Sequence, residues 1–374
     1  MQEIIKDFLE FVQIPVESRN ERQLADSIIA KLEILGLEVC EDETAKLVGG
    51  NTGNIYAILK GDSSIEPIMF SAHLDRVKNN GAITPIIDEE EGKIKADGKT
   101  ILAADDVSGI CVVLEALRNI VANGWRHGDI EVAFSVCEEA GVLGAKYYDF
   151  TKFKAKKAFV FDAPGRIGKL VLQAPSKAKI TYKVYGLSAH AGNEPEKGIN
   201  AAKAAAALVM ELPDSRLSPF TTANVSTILA GGKTTNVVCD YAEIMAEARS
   251  TDGVEFEEAL QAFQTPIQVI EDKYKVKIEC NVEVLYHTFK VEETDEIVEI
   301  AKAAMAKLGV ECTLARGGGG MDGNHFNEHG IKAIGVAPGY FKNHTKDEYI
   351  YIDDMVKCSE FALALIDVMT QKTK

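Results

Sequence analysis

The sequence lacks the cysteine patterns that mark disulfide frameworks and thiolate zinc sites. Its seven cysteines are scattered along the chain, are odd in number and include no C-x-x-C pair. Neither a disulfide-stapled protein nor a cysteine-bound zinc module is therefore expected. This cysteine usage favours a reducing compartment.

The chain also lacks a long hydrophobic segment. No run of about 18 apolar residues occurs, which argues against a membrane-spanning helix. The N-terminal segment MQEIIKDFLEFVQIP has amphipathic spacing with acidic residues. A signal peptide would instead have a basic start and an unbroken apolar core. We therefore expect a soluble, cytoplasmic protein.

Basic residues are outnumbered by acidic ones. The 41 Lys and Arg residues face 57 Asp and Glu residues, which gives a formal net charge of −16. Such a negative field repels nucleic acid and anionic membranes, so neither is an expected partner. Apolar residues are abundant, at 46% of the 374 residues. They suffice for a sizeable core, and the length favours two domains of about 100–200 residues each.

Short apolar runs that end in polar clusters indicate the strands of an α/β sheet. They are Ile68–Ala72 before His73 and Asp75, Ile130–Cys137 before Glu138 and Glu139, Ala158–Phe161 before Asp162, and Ile331–Ala337 before a loop with His344. Helical patterns such as 108–119 and 292–308 alternate with these runs, which predicts a mostly parallel sheet flanked by helices. Ligands of such sheets bind at the carboxyl ends of the strands, where these clusters lie.

Residues 179–286 follow a different pattern. Strand-like alternation at 179–185, 224–230, 236–248 and 275–285 is interrupted by helical segments at 200–212 and 256–273. Pro266 should bend or break the second helix. The resulting order, β-α-β-β-α-β, is typical of a ferredoxin-like α+β unit. We therefore predict an inserted domain at 179–286 between two parts of an α/β domain, 1–178 and 287–374.

Each polar cluster has a simple explanation when it is taken alone. Asp105 and Asp106 suit the N-terminus of a helix, Asp162 suits a turn, and His344 suits a loop. The His73-x-Asp75 pair could be an ordinary hydrogen-bonded pair at a strand end. Their shared position at one edge of a sheet instead favours a metal site, because imidazole and carboxylate ligands without thiolate suit zinc, cobalt or manganese.

The adjacent glutamates Glu138 and Glu139 are more informative than a charge run on an exposed helix. Paired carboxylates repel one another unless a cation, a proton or solvent relieves them. One glutamate can bind a metal ion while its neighbour takes a proton from an attacking water. A solvated helix start remains the simpler alternative for the pair alone.

The ordered set of motifs resembles the co-catalytic metallopeptidase family of carboxypeptidase G2, aminoacylase-1 and peptidase T. The matching segments are His73-Leu74-Asp75, Ala104-Asp105-Asp106-Val107-Ser108-Gly109, Glu138-Glu139 with AGVLGA after it, the Asp162 turn and the late His344. Two further segments, Arg316–Gly323 and His344–Glu348, look most like peptidase T. The resemblance covers essentially the whole chain.

The resemblance implies two metal ions, expected to be zinc with cobalt or manganese as alternatives. The implied ligands are His73 and Asp162 on one ion, Glu139 and His344 on the other, and Asp105 between both. Asp75 would orient His73, and Glu138 would be the general base that activates water. The peptide bond after the bridging aspartate is often cis in this family.

The resemblance further implies that the inserted domain is a lid through which two chains dimerise. The segment Leu187–Gly192 would supply His190 to hold the oxyanion, in its own site or in that of the second copy. Asn236 and Arg249 would grip a substrate carboxylate or the oxyanion. Backbone amides at Gly318 and Gly319 would approach the substrate.

The activity expected from this resemblance is metal-dependent hydrolysis of small peptides, as by a tripeptide aminopeptidase. A dipeptidase, a carboxypeptidase or an N-acyl-amino-acid hydrolase would use the same site. A binding protein that kept the fold would have lost a ligand or Glu138, and none is missing. A phosphate-binding role for Gly317–Gly320 is disfavoured because no Lys-Ser/Thr follows the glycines.

The sequence departs from the peptidase T pattern at two positions near the expected site. Val107 replaces the lysine that usually follows the Asp-Asp pair, and Arg76 replaces the threonine that often follows H-x-D. Asn324 and His325 have no clear counterpart in the family. These departures leave the peptide preference open.

Overall fold

A computed structural model describes residues 2–79 and 81–372. The chain forms two compact units: a first unit of Met1–Ala174 with Phe289–Lys374, and a second unit of Pro175–Thr288. The predicted inserted domain, 179–286, lies within this second unit, whose first strand begins at Ser176 and whose last strand ends at Tyr286. Among the described residues no helix is long and apolar enough to cross a membrane.

The helices and strands follow one another along the chain in three stretches. The first part of the first unit contains α1 (Glu3–Gln13), α2 (Arg22–Ile34), β1 (Glu38–Glu41), α3 (Thr44–Val48), β2 (Ile55–Leu59), β3 (Ile68–His73), β4 (Pro85–Asp88), β5 (Lys93–Ala96), α4 (Ala104–Asn123), β6 (Ile130–Ser135), α5 (Leu143–Lys146), a 3₁₀ turn (Phe150–Lys152), β7 (Lys157–Val160) and β8 (Lys169–Ala174). The second unit contains β9 (Ser176–Tyr185), a 3₁₀ turn (Pro195–Lys197), α6 (Ala201–Glu211), β10 (Ser215–Arg216), β11 (Thr221–Ala230), β12 (Tyr241–Ser250), α7 (Gly253–Gln264), α8 (Ile267–Tyr274) and β13 (Lys277–Tyr286). The chain then returns to the first unit with β14 (Phe289–Lys290), α9 (Glu296–Lys307), β15 (Thr313–Arg316), α10 (Gly323–Glu328), β16 (Lys332–Val336), β17 (Tyr340–Phe341), β18 (Tyr349–Tyr351) and α11 (Ile352–Lys372).

The main sheet of the first unit has a parallel centre and antiparallel edges. Its strands run in the order β1-β2-β6-β3-β7-β16-β8-β14, with β15 paired to β8. β6, β3, β7 and β16 are parallel neighbours, whereas β1, β2 and β14 pair antiparallel. Every residue of β3 and β6 is buried, which explains why most residues of both strands are apolar. The predicted α/β sheet is confirmed.

The strand register brings the polar clusters to one edge of this sheet. His73 at the end of β3 pairs with Ser135 at the end of β6, so the residues that follow both strands emerge side by side. Ser71 pairs with Val160 of β7, which places Asp162 just beyond the same edge. A smaller antiparallel sheet, β17-β18-β5-β4, lies in the same unit and was not predicted.

The segment that begins α4 is irregular, although the helix was expected from residue 108. Asp105 and Asp106 have non-helical backbone angles, Ala103 is left-handed at φ 62°, and the Asp105–Asp106 peptide bond is cis. Asp106 accepts a hydrogen bond from the Gly109 amide, at 3.2 Å, and another from the His73 amide, at 3.1 Å. Asp106 therefore caps the regular part of α4 and ties it to the end of β3.

The second unit has the ferredoxin-like arrangement. Its sheet runs in the order β10-β11-β12-β9-β13, with all neighbours antiparallel. Helices α6 and α7 pack against it through a shared apolar core. As predicted, the helical segment breaks around Pro266, between α7 and α8. The strand predicted at 236–248 was wrong at its start: residues 236–240 form a loop, because β12 begins at Tyr241.

Gly144 lies where the chain after Glu139 packs back onto the end of β6. A Cβ at this position would lie 2.0 Å from the Val136 carbonyl oxygen and 2.7 Å from Asn54 Oδ1. The buried Asn54 fixes this contact, because its amide donates to the Gly144 carbonyl at 3.0 Å while its oxygen accepts from the Val136 amide at 3.0 Å. Only glycine fits at this position without moving the backbone.

We expect Gly144→Ala to lower the free energy of unfolding by about 1–3 kcal/mol, since overpacking a fixed contact forces backbone shifts. Thermal unfolding of the metal-free protein measures this change. Gly253→Ala is the matched control, because a Cβ at that position meets nothing within 4 Å. Equal unfolding temperatures for the two variants would contradict the packing of Gly144 against Val136 and Asn54.

Candidate metal centre

Three of the predicted ligands meet at the end of β3. His73, Asp105 and Asp162 each offer a ligand atom, and these atoms lie within 4.8 Å of one another. His73 Nε2 is 3.0 Å from Asp105 Oδ1 and 3.8 Å from Asp162 Oδ1. The His73 and Asp105 side chains are at most 7% exposed. This group has the nitrogen and oxygen donors that a divalent cation requires.

A second group forms beside the first. Asp105, Glu139 and His344 also place one ligand atom each within 4.8 Å of one another. His344 Nε2 lies 2.6 Å from Glu139 Oε1 and 3.3 Å from Asp105 Oδ2. The His344 side chain is 44% exposed, so this group faces solvent more than the first.

Asp105 belongs to both groups, with a different oxygen turned to each. Its Oδ1 faces His73, and its Oδ2 faces His344. A carboxylate in this orientation can bind two cations at once, one through each oxygen. The five predicted ligands are thus brought together as two groups that share one residue.

The electrostatics of these residues fit a cation. Burial raises the pKa of Asp162 and of Glu138 well above the ordinary values, and neighbouring carboxylates raise them further. Hydrogen bonds with Asp105 and Glu139 raise the pKa of His344 to about 10. The carboxylates in this small volume therefore outnumber the histidines that could balance their negative charge. Bound divalent ions would offset the excess negative charge.

Asp75 organises the site through its neighbours. The His73 ring nitrogen Nδ1 lies 3.0 Å from the Asp75 main-chain oxygen and 3.4 Å from its carboxylate, which fixes the ring so that Nε2 faces Asp105. The Asp75 carboxylate also accepts hydrogen bonds from the amides of Glu138, at 2.8 Å, and Glu139, at 3.2 Å, and from the Ser18 hydroxyl, at 2.6 Å. It therefore holds the ends of β3 and β6 in register.

Glu138 and Glu139 have separate environments although they are adjacent. Glu139 lies within a ligand group, beside His344. Glu138 is 8% exposed and lies outside both groups, while the charge of Asp162 contributes to raising its pKa. A buried carboxylate near the ligands that does not join them can hold or transfer a proton.

The comparisons with known proteins agree on one family. A family model described as Peptidase family M20/M25/M40 matches residues 69–368. The chain is 36% identical to the uncharacterized protein YqjE of Bacillus subtilis over 364 residues, 97% of each sequence. Two solved structures are also similar, each covering 98% of both chains: an aminopeptidase PepT from Bacillus cereus (34% identity, TM-score 0.85) and a tripeptidase from Staphylococcus aureus (30% identity, TM-score 0.90).

The chain belongs to peptidase family M20/M25/M40. The family resemblance drawn from the sequence motifs is thereby confirmed, and the chain is a metallopeptidase. Its two ligand groups fit metal-dependent hydrolysis of peptide bonds.

Two contacts in this M20 metallopeptidase were not predicted. The buried Tyr340 donates its hydroxyl to Asp162 Oδ1 at 3.0 Å, and the Asn343 side-chain amide donates to Asp105 Oδ2 at 2.7 Å. Tyr340 begins β17 and Asn343 lies in the turn after that strand, both just before His344. Their signal in the sequence is only this proximity to a ligand.

The residues that departed from the peptidase T pattern have structural roles. Arg76 is 2% exposed, and its guanidinium donates to the Val12 and Phe11 carbonyls at the end of α1, at 3.0 and 3.3 Å. Val107 is buried within α4. Both residues thus serve the packing of the M20 fold around the site.

The glycine-rich segment of this M20 chain leads from β15 into α10. Gly318 is exposed, and nothing lies within 4 Å of the position of a Cβ. Asn324 Oδ1 accepts the Met321 amide at 3.0 Å, so Asn324 shapes the turn into α10. His325 Nδ1 lies 3.3 Å from Glu328 Oε2 of the same helix. The substrate contact predicted for Gly318 and Gly319 stays a prediction.

Within the second unit, His190 is exposed and held by its own turn. The Gly192 and Asn193 amides donate to its Nδ1, each at 3.1 Å. In the neutral ring the proton is therefore on Nε2, which can donate to a ligand. His190 pairs with Val237, and the Ala191 amide donates to the Asn236 carbonyl at 2.9 Å. Two of the predicted substrate residues, His190 and Asn236, thus lie close together.

Arg249 lies far from that pair within the same unit. It is the ninth residue of β12, whereas Val237 precedes the strand. A strand rises about 3.3 Å per residue, so Arg249 lies about 26 Å along β12 from Tyr241, the first residue of the strand, and Val237 precedes Tyr241. The Arg249 side chain forms an ion pair with Glu247, at 2.8 Å.

We expect Tyr340→Phe to weaken metal binding about tenfold, because loss of a hydrogen bond to a ligand frees its orientation. Competition between the protein and a chromogenic zinc chelator measures the affinity. Tyr182→Phe is the matched control, since its buried hydroxyl donates to the Phe263 carbonyl of the second unit. Equal metal affinities for Tyr340→Phe and the wild type would refute this role for Tyr340.

Proposed function

We propose that this M20 chain is a two-zinc aminopeptidase that releases the N-terminal residue of tripeptides. The observation that carries the proposal is Asp105, whose two carboxylate oxygens face two different groups of ligand atoms. The similarity to a solved aminopeptidase and a solved tripeptidase supports the substrate class. Imidazole and carboxylate donors without thiolate support zinc, with cobalt or manganese as alternatives.

In this proposal His73 and Asp162 bind one ion, Glu139 and His344 bind the other, and Asp105 bridges them. When bound, such ions lower the pKa of water and polarise a carbonyl group. The Asp75 contacts hold His73 and the Glu138–Glu139 segment in place for this arrangement. Tyr340 and Asn343 orient Asp162 and Asp105 through hydrogen bonds to their carboxylates.

Glu138 is the proposed general base. Its carboxylate accepts a proton from water as the oxygen attacks the scissile carbonyl carbon, and it then donates that proton to the leaving amine as the C–N bond breaks. A carboxylate beside the ligands but outside both groups suits this role, because it is not required to bind an ion. Burial raises the pKa of Glu138, which favours proton uptake.

His190 is the proposed donor to the oxyanion, through Nε2, with Asn236 beside it, and Arg249 is proposed to bind the substrate carboxylate. The separation of about 26 Å along β12 exceeds what the His190 and Arg249 side chains can span towards one small peptide. We therefore propose a homodimer through the second unit, in which His190 serves the site of the other copy. The amides of Gly318 and Gly319 are proposed to line the same substrate site.

The alternative activities keep the metal site and change the substrate. A dipeptidase, a carboxypeptidase and an N-acyl-amino-acid hydrolase would share all five ligands and Glu138. A reducing, cytoplasmic compartment is proposed as well, since all seven cysteines are free thiols in the structure.

The substrate proposal is tested with matched peptides. We expect the purified enzyme to cleave free tripeptides, to cleave dipeptides more slowly, and to leave N-acetylated tripeptides intact, because a free amine is part of the recognised group. Exhaustive EDTA treatment should abolish the activity and added zinc, cobalt or manganese should restore it. Turnover of acetylated substrates alone would refute the aminopeptidase proposal, and activity that survives chelation would refute the metal mechanism.

The role of Glu138 is tested by substitution. We expect Glu138→Ala to lower kcat by at least about 100-fold, the usual contribution of a general base, while two ions per chain remain bound. Metal analysis of the purified variant provides the second readout. Loss of a bound ion would mean that Glu138 rather than Glu139 is the ligand.

The shared-site proposal is tested by mixing two inactive variants, Glu138→Ala and His190→Ala. Each alone should lose about 100-fold or more in kcat. After subunit exchange, we expect about a quarter of the wild-type activity, since half of the dimers are mixed and each of these has one complete site. If His190 acted within its own chain, no mixed dimer would have a complete site and activity would not return.

A further inference from the structure

Glu348 is a buried carboxylate beside the metal centre that the proposed reaction does not use. The residue is 1% exposed. Its Oε2 accepts hydrogen bonds from the amides of Leu102 and Ala103, each at 2.8 Å, and its Oε1 accepts the Asp105 amide at 3.1 Å. One side chain thus binds three amides of the turn that carries the shared ligand.

This turn has little regular structure to hold it. Ala103 is left-handed at φ 62°, and Asp105 and Asp106 depart from helical angles, so the amides before α4 do not join a helical or strand ladder. Buried amides require a hydrogen-bond acceptor. The two oxygens of Glu348 meet that requirement for three of them.

The same contact joins two segments that lie far apart in the sequence. Glu348 and Asp105 are 243 residues apart, and Glu348 follows the ligand His344 by four positions. Asn343 of the same loop contacts the Asp105 side chain at 2.7 Å. The segment that contains His344 therefore also forms hydrogen bonds with the backbone amide and the carboxylate of Asp105.

We propose that Glu348 is a positioning residue that holds the Asp105 turn so that each carboxylate oxygen faces its own ligand group. The inference rests on the proposed function, in that Asp105 must bind metal. Without Glu348, the turn would be free to rotate Asp105 away from one group, and the metal ions would bind more weakly. Removal of a residue that forms a hydrogen bond with a metal ligand typically lowers metal affinity or activity by about 10–100-fold.

Glu348→Gln is the most direct variant, because it keeps the size of the side chain. It replaces one acceptor oxygen with an NH₂ group, which cannot accept a backbone amide. Three backbone amides would then face a single acceptor oxygen, and the turn would lose at least one of its hydrogen bonds to residue 348.

The chain offers a matched control in Glu131. It is also fully buried, and its two oxygens accept the amides of Lys154, at 2.8 Å, and Ala155, at 3.2 Å. Glu131 lies near the start of β6, at the opposite end of that strand from Glu138. Glu131→Gln therefore disturbs a comparable carboxylate–amide contact away from the ligands.

The experiment measures zinc affinity by competition with a chromogenic chelator, and kcat and KM at saturating zinc. We expect Glu348→Gln to bind zinc about 10–100-fold more weakly and to lower kcat with little change in KM. Glu131→Gln should remain within about twofold of the wild type in affinity, because changes away from a ligand leave its geometry intact. Thermal unfolding of the metal-free proteins compares the loss of stability in the two variants.

Wild-type zinc affinity in Glu348→Gln would overturn the proposal, and so would an equal loss of affinity in both variants. If Glu348→Gln fails to fold, Glu348→Asp is measured in the same way, since it keeps the charge but withdraws the carboxylate by one methylene group. Wild-type affinity in that variant would also overturn the proposal. Failure of the wild-type protein itself to bind zinc would instead overturn the proposed function.

Discussion

Repulsion among buried carboxylates at one edge of the sheet is the constraint on which this structure depends. Asp105, Glu138, Glu139 and Asp162 crowd around two histidines, and burial raises the pKa of Glu138, Glu139 and Asp162. Such an arrangement is costly unless cations or protons offset the charge. The site is therefore built to receive positive charge, and the two groups around Asp105 indicate where that charge belongs.

The fold supplies this crowding through parallel strands and short connections. Because β3, β6 and β7 end at the same edge, His73 at the end of β3 and the short segments after β6 and β7 bring candidate ligands together. Asp75 then ties the ends of β3 and β6 together through the amides of Glu138 and Glu139. The last proposed ligand, His344, comes from the far end of the sequence. The contacts of the neighbouring residues Asn343 and Tyr340 with Asp105 and Asp162 therefore help to shape the whole centre.

The sequence predicted those features that leave a local pattern. Buried parallel strands appear as mostly apolar runs, and the polar residues at their ends pointed to the candidate ligand groups around Asp105. Contacts between distant segments leave no such pattern. Tyr340 and Asp162 are 178 residues apart, and nothing near either residue marks the pair. The start of β12 was misplaced for a different reason, because the apolar residues Val237, Val238 and Cys239 look like part of a strand although this segment forms a loop.

The central claim is that Asp105 bridges two ions. Anomalous diffraction at the zinc absorption edge, from crystals of the zinc-loaded enzyme, tests it most directly. Two peaks per chain are predicted, one beside His73 and Asp162 and one beside Glu139 and His344, with one oxygen of Asp105 facing each. A single peak, or two peaks of which only one contacts Asp105, would contradict the account.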